Sequence, residues 1–309
     1  MITSVCLNPS IDRTVQVQGF AVGATNRILR EQSEGRGKGV NVALTASALG
    51  LQTCCTGLLG EDNARLILEP LERLGVRERF VRQRGAVRTN LKIQDVEHRA
   101  ITELNEPGAP VQEEGLVAVA AQVEELAQKS EYLVLTGSLP PGCPASIYRM
   151  LMLRVAGSKC RCVLDASGAS LTDGILGRPF LVKPNLQELE QAAGCKLTTL
   201  REIRAQALDF IAQGVQIVVV SMGAGGALLT DGRTTLYAPS LPVGVHSTVG
   251  AGDAMVAGLI RGFGEGMDLK EALRCGVAAA AAAVSSERGC LFERSAYEQL
   301  LSRVDVGRV

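Results

Sequence analysis

The sequence predicts an α/β fold: a mainly parallel central sheet sandwiched between helices in three layers, with a small β-sheet attached as a lid. Short apolar strands alternate with helical stretches along most of the chain, which is the pattern of parallel βαβ units. Two glycine-rich turns, Gly35–Asn41 and Ser247–Gly258, break directly into helices. Two further segments, about 12–33 and 86–105, alternate polar and apolar residues at period two, too polar on one face for a covered sheet. With 309 residues, 46% of them hydrophobic, the chain is expected to be one domain, 1–309, with the lid segments inserted in it.

In order, residues 2–7 read as a buried strand stopped by Asn8-Pro9, with Ser10-Ile11-Asp12 where its carboxyl end opens. Ligands bind at that edge of such sheets, so Asp12 either caps a turn or accepts hydrogen bonds from hydroxyls. A hairpin follows at 13–18 and 25–32, then a helix at 40–49, a strand at 52–58 and a helix at 63–74 that Pro70 should kink. A second hairpin, 87–94 with 99–104, should pair with the first. Arg88 and Lys92, four apart on one strand face, are either solvated charges or a phosphate clamp.

Regular alternation then runs through a helix at 113–129, a strand at 132–136, a helix at 145–156 and a strand at 160–164. The strand at 180–182 ends in Lys183-Pro184-Asn185, with Glu188 one helical turn on. Asn185 and Glu188 either form a capping box or offer oxygens to a hydrated Mg²⁺. The strand at 216–220 runs into Ser221–Gly226, whose glycines shape either a nucleotide-phosphate loop or a hairpin. The alanine run at 278–283 lies on a helix whose smooth face packs on a neighbour or leaves room for a purine.

The turn at 247–258 is the chemical centre of this reading. Helix-start amides and Gly250 and Gly252 make an anion site. Asp253 at its mouth is either a first-turn acid, which helix starts favour, or a base.

Composition removes several classes. Lys plus Arg balance Asp plus Glu at 32 each, which disfavours nucleic acid, and no apolar run is long enough for a membrane span. Two histidines leave little for a histidine triad or zinc site. Nine cysteines without a C-x-x-C pair read as mostly buried free thiols, and with no signal-peptide pattern at Met1–Ser4 they point to a cytoplasmic protein.

With Gly35-Arg36-Gly37-Lys38-Gly39-Val40-Asn41, Gly137–Gly142, Lys183-Pro184-Asn185 to Glu188, and Thr248–Asp253 in order, the chain resembles the PfkB branch of the ribokinase-like carbohydrate kinases from end to end. The resemblance implies ATP-dependent phosphorylation of a sugar phosphate, most similar to kinases of phosphorylated ketoses such as fructose 1-phosphate. It implies Asp253 as the base, with Gly250, Ala251 and Gly252 as the anion hole. Asp12, Arg27, Gly37, Lys38, Gly39, Asn41, Arg88, Asn90, Lys92 and Ser138 would bind the sugar phosphate. Lys183, Asn185, Ser221, Gly223, Gly225, Gly226, Gly252 and Ala279 would bind ATP, and Asn185 and Glu188 would reach Mg²⁺ through water. A helix N-terminus should keep Asp253 ionised at neutral pH. Because isolated hairpins are marginal in water, the lid is expected to close on substrate and to pair two subunits into a homodimer.

Two positions depart from the family pattern. Arg36 stands where a glycine is usual, and Ala279–Ala283 replaces a segment that often reads Gly-Ser-Ala-Thr. The rival substrates are tagatose 6-phosphate, fructose 6-phosphate and an unphosphorylated sugar or nucleoside; the rival of another class is a non-catalytic sugar-phosphate sensor, against which Asp253, Asn185 and Glu188 argue.

Overall fold

A computed structural model describes all residues, 1–309. The chain opens with β1 (Ile2–Cys6), every residue of it buried, then β2 (Ser10–Val17), β3 (Arg30–Arg36) and α1 (Lys38–Ala48). Next come β4 (Thr53–Gly60), α2 (Arg65–Arg73), β5 (Arg77–Gln83), β6 (Arg88–Asp95) and β7 (Ala100–Asn105). The regular stretch supplies α3 (Glu113–Ala127), β8 (Tyr132–Thr136), α4 (Ile147–Val155), β9 (Arg161–Asp165), α5 (Gly168–Ile175) and β10 (Leu181–Val182). It continues through α6 (Leu186–Ala193), α7 (Leu200–Ala212), β11 (Ile217–Ser221), β12 (Ala227–Thr230) and β13 (Thr235–Ala238). The chain closes with α8 (Ala251–Gly264), α9 (Leu269–Ser285), α10 (Arg294–Leu301) and β14 (Gly307–Arg308).

Ten strands form the main sheet in the order β14-β13-β12-β11-β10-β9-β8-β1-β4-β5, parallel from β11 to β5 and antiparallel beyond β11. Its strands read as continuous apolar runs because both faces are covered. On one face Tyr132, Val134 and Val219 pack with α8 and α9; on the other, Leu133, Leu135, Val218 and Val220 join the core under α3 to α7. Strand order reverses between β1 and β8, so a crevice opens at their carboxyl ends, where α/β sheets bind ligands.

The two hairpins join as expected into a separate four-stranded sheet, β3-β2-β6-β7, with β2 and β6 parallel from Ser10–Arg88 to Val17–Asp95. The first hairpin is shifted from its expected position: residues 25–29 are loop, and the strand runs through the polar Arg-Glu-Gln-Ser-Glu-Gly-Arg instead. β5 is an addition, a charged edge strand whose composition masks it.

Pro70 sits inside α2 and leaves the Leu66 carbonyl without its usual amide partner. That carbonyl packs on Gly35, where a Cβ would come within 2.1 Å of the oxygen. The proline and the glycine are therefore two sides of one close approach between α2 and the strand leading into the glycine-rich turn. All nine cysteines are free; Cys195 is exposed, against the buried expectation, while Cys6, Cys54, Cys55, Cys275 and Cys290 are buried. No helix is long and apolar enough to cross a membrane.

Candidate active site

A cavity of about 800 Å³ runs along the carboxyl ends of the central strands. Each strand delivers a polar group there: Asp165 ends β9, Lys183 follows β10, and Ser221 ends β11. From the other side come Gly37, Lys38 and Asn41 at the start of α1, and Gly250–Asp253 at the start of α8. Gly37 has φ 133°, and a Cβ there would lie 2.9 Å from the Cys6 sulfur, so the turn onto α1 requires glycine.

Gly250 is the N-cap of α8, with φ 81° and no side-chain cap. The amides of Gly252 and Asp253 have no partner, while that of Ala251 reaches the Thr248 carbonyl at 3.4 Å. These are the orphan donors of a helix start, aimed at the cavity. Asp253 lies three residues past the cap, in the first turn of α8, and makes no capping bond. Its Oδ2 accepts instead from Asn41 Nδ2 at 2.8 Å, a contact across 212 positions in sequence. Asp253 is therefore a first-turn acid of α8 but not its cap, and its one hydrogen bond leads away from the helix.

Asp253 is 4% exposed. Burial pushes its carboxyl up to about 6, opposed by Lys38, Lys183 and the Asn41 hydrogen bond and reinforced by Asp165. Raised by burial, it still remains mostly ionised at neutral pH, as the sequence suggested. A pKa just below the working pH suits a proton acceptor.

Asp165, which sequence reasoning missed, organises the cations. It is 1% exposed and lies 3.3 Å from Lys183 Nζ and 3.4 Å from Lys38 Nζ. Burial alone would raise its carboxyl, but the two ammonium groups overcome this and hold it below the usual range. Burial likewise opposes charge on Lys38, yet Asp165, Asp253 and Glu188 hold its ammonium well above the ordinary value. The only sequence signal for Asp165 was its place, an acid at the carboxyl end of a core strand.

Asn185 and Glu188 form the capping box: each side chain accepts from the other's backbone amide at 2.8 Å. Glu188 Oε1 remains 3.9 Å from Lys38 Nζ. No three His, Cys, Asp or Glu side chains are grouped to hold a metal directly. Glu188 does not line the cavity, and its one free oxygen, turned toward Lys38, fits contact with a hydrated ion and not a metal site built from protein ligands.

At the lid, Asp12 accepts from Ser10 Oγ at 3.1 Å, Asn90 Nδ2 at 3.0 Å and Lys92 Nζ at 3.1 Å. Asp12 is thus no turn cap. Lys92 is its counter-ion and faces a second cavity of about 790 Å³ under the lid, not the first. Arg88 lines the first cavity while donating to the Asn8 and Glu106 carbonyls and to Ser138 Oγ. Ser138 is exposed and does not line the cavity; it reaches the site through Arg88. Gly39 is buried against Cys6 and serves the packing of α1.

Three expected residues lie elsewhere. Arg27 is exposed in the loop between β2 and β3, outside both cavities. Gly225 does not line the cavity, although Gly223, Ala224 and Gly226 of the same loop do. That loop is also a hairpin, since β12 returns antiparallel to β11. Ala279 is fully buried toward Gly258 of α8, where an added Cβ would lie 2.8 Å from it. The neighbouring Val277, Ala280, Ala281 and Val284 face the cavity with Leu241, Pro242, Val243 and Val245, so the small-residue helix both packs on α8 and lines an apolar end of the cavity.

A helix start with free amides, a buried carboxylate and two ammonium groups, Lys183 buried and Lys38 half-buried, at one point define a phosphoryl-transfer enzyme on a doubly wound α/β scaffold. The profile of the pfkB family carbohydrate kinases matches residues 6–294, and the chain belongs to that family. It is similar to the 1-phosphofructokinase of Rhodobacter capsulatus, 42% identical over 90% of this chain and 88% of that protein. It is also similar to the 1-phosphofructokinase of Bacillus subtilis, 33% identical over the whole of both. Among solved structures, phosphofructokinase-2 of Escherichia coli in complex with fructose-6-phosphate superposes with a TM-score of 0.89 at 28% identity, over 98% of each chain. The protein is a phosphotransferase acting on a sugar hydroxyl.

Proposed function

We propose that this chain transfers the γ-phosphoryl group of ATP to the free primary hydroxyl of fructose 1-phosphate, giving fructose 1,6-bisphosphate and ADP. The observation that carries the chemistry is Asp253: a buried carboxylate without a capping bond, beside free helix-start amides. The substrate is supported by the names of the relatives and by Arg88 in the cavity wall, where a cation can meet a substrate phosphate.

In this reading the sugar lies between Asp12, Asn90 and Asn41, and the nucleotide phosphates extend along Lys183, Asn185 and the 221–226 loop. Its base occupies the apolar end near Val277 and Val284. The attacking hydroxyl gives its proton to Asp253 as its oxygen bonds to the γ-phosphorus and ADP leaves. The amides of Gly252 and Asp253, with Lys183 and Lys38, meet the charge on the transferring group. These donors are fixed before the reaction, so no reorganisation is needed as charge develops. Bound Mg²⁺, reached through water from Asn185 and Glu188, would neutralise phosphate charge.

The lid is proposed to pair with that of a second subunit. All of the edge strand β7 is exposed, with Ile101 66% and Leu104 55% exposed, and such an edge is a template for association. A cytoplasmic location fits the nine unpaired cysteines.

Product analysis with ATP, Mg²⁺ and a panel of fructose 1-phosphate, fructose 6-phosphate, tagatose 6-phosphate and fructose tests the assignment. Fructose 1,6-bisphosphate formed fastest from fructose 1-phosphate is expected. Preferential turnover of any other member would overturn the substrate.

A further inference from the structure

Cys290 lies in the segment after α9, 1% exposed, wedged between Arg36 and Asn41. Arg36 Nη1 donates to its sulfur at 3.2 Å, and the sulfur lies 3.5 Å from Asn41 Oδ1. Arg36 is itself held by Glu34, and the Cys290 carbonyl accepts from Thr45 Oγ1 at 3.2 Å, one turn along α1 from Asn41. A Cβ on Gly250, the cap of α8, would lie 3.6 Å from the Cys290 Cβ. The thiol thus bonds to Asn41 of α1, and its residue packs close to the cap of α8.

We propose that Cys290 is a positioning residue that fixes the Asn41 amide so that its Nδ2 always faces Asp253. The hydrogen-bond direction follows from the partners. Arg36 has only hydrogens to give, so the sulfur accepts there and its own hydrogen is left for Asn41 Oδ1. With Oδ1 engaged, Nδ2 can only point at Asp253. The need for this arises during turnover. An ionised Asp253 holds the amide by charge alone; once it has taken a proton that hold weakens, and a free amide can flip its oxygen toward the base.

The groups facing Asp253 are Lys38 and Asn41 from α1, Asp165 from β9 and Lys183 from the end of β10, with Cys290 and Arg36 behind Asn41. The Asn41 bond favours the ionised carboxylate, so loosening it moves the acid limb of the rate profile to higher pH.

The inference rests on Asp253 as base and is tested with Cys290→Ala, Cys290→Ser and Asp253→Asn side by side. Cys290→Ala should lower kcat roughly 10-fold, since a misplaced group near the chemistry is costly, with KM for ATP unchanged and the acid limb of kcat shifted upward. Cys290→Ser keeps a donor in place and should restore both. Wild-type kcat and limb in Cys290→Ala, or equal impairment in Cys290→Ser, would overturn the role of the thiol while an inactive Asp253→Asn leaves the base in place. A fully active Asp253→Asn would remove the base, and the positioning role with it.

Discussion

The ion pairs Lys183–Asp165 and Lys92–Asp12 are similar in length, 3.3 and 3.1 Å, but sit in opposite settings. The first is buried, its side chains 3% and 1% exposed, at the ends of two central strands. The second lies on the four-stranded lid, with side chains 18% and 12% exposed, and Asp12 keeps two further neutral donors. In the centre, desolvated charges are fixed at the ends of the strands, as the proposed electrostatic stabilisation of phosphoryl transfer requires before reaction. On the lid, Asp12 divides its oxygens among three donors, which under the proposed function a sugar's hydroxyls would replace.

The difference can be broken first by stability. Lys183→Met leaves Asp165 with Lys38 as its remaining cation, and breaking a buried pair costs about 3–5 kcal/mol. Lys92→Met should cost about 1 kcal/mol or less, in the range of partly exposed pairs. Urea unfolding of both variants at neutral pH reads the contrast; equal losses would mean that the two regions are not different in kind.

Next in size, Arg88→Ala should weaken sugar-phosphate binding by roughly 10-fold or more, as a charge-assisted bond is lost, while leaving ATP affinity unchanged. Calorimetry with each ligand decides, and an unchanged sugar-phosphate affinity would reduce Arg88 to a strut for the Asn8 and Glu106 carbonyls.

A smaller effect is expected from pH. The Asp253 carboxyl is raised to about 6, so activity should fall as pH drops through that value. Linkage has the opposite sign: a carboxyl raised in the folded state favours folding at low pH, and that contribution is lost as pH rises through about 6. Activity and this part of stability should therefore move in opposite directions between pH 5 and 7. A rate profile with no acid limb in this range would contradict the buried-base assignment.

The smallest step concerns the lid alone. Ile101→Lys on the exposed edge strand should shift a dimer toward monomer in light scattering without altering the melting of the main domain. A wild-type monomer at working concentration would dismiss pairing through the lid.

The order of the motifs and the core strands were legible because glycine turns and apolar runs are local signals. Strand 132–136 is observed with its expected bounds. What escaped was set by tertiary contacts. Asp165 looks like any acid after a strand until Lys38 and Lys183 arrive from distant elements. An alanine run gives no phase, so Ala279 could not be separated from Ala280, which faces the cavity. Charged β5 and the polar strand β3 lack the pattern of a buried strand, and Lys92 needed the parallel pairing of β2 with β6 to find Asp12.

The central claim is that Asp253 is held for chemistry and not for the helix. Asn has the shape of Asp, is neutral and keeps an oxygen that can accept from Asn41 Nδ2, so Asp253→Asn isolates the carboxylate. Measured on fructose 1-phosphate, its kcat should fall on the order of 10²–10⁴-fold, while the melting temperature holds or rises because a buried charge is gone. Turnover close to the unmodified protein, in a variant with an intact melting transition, would contradict the account.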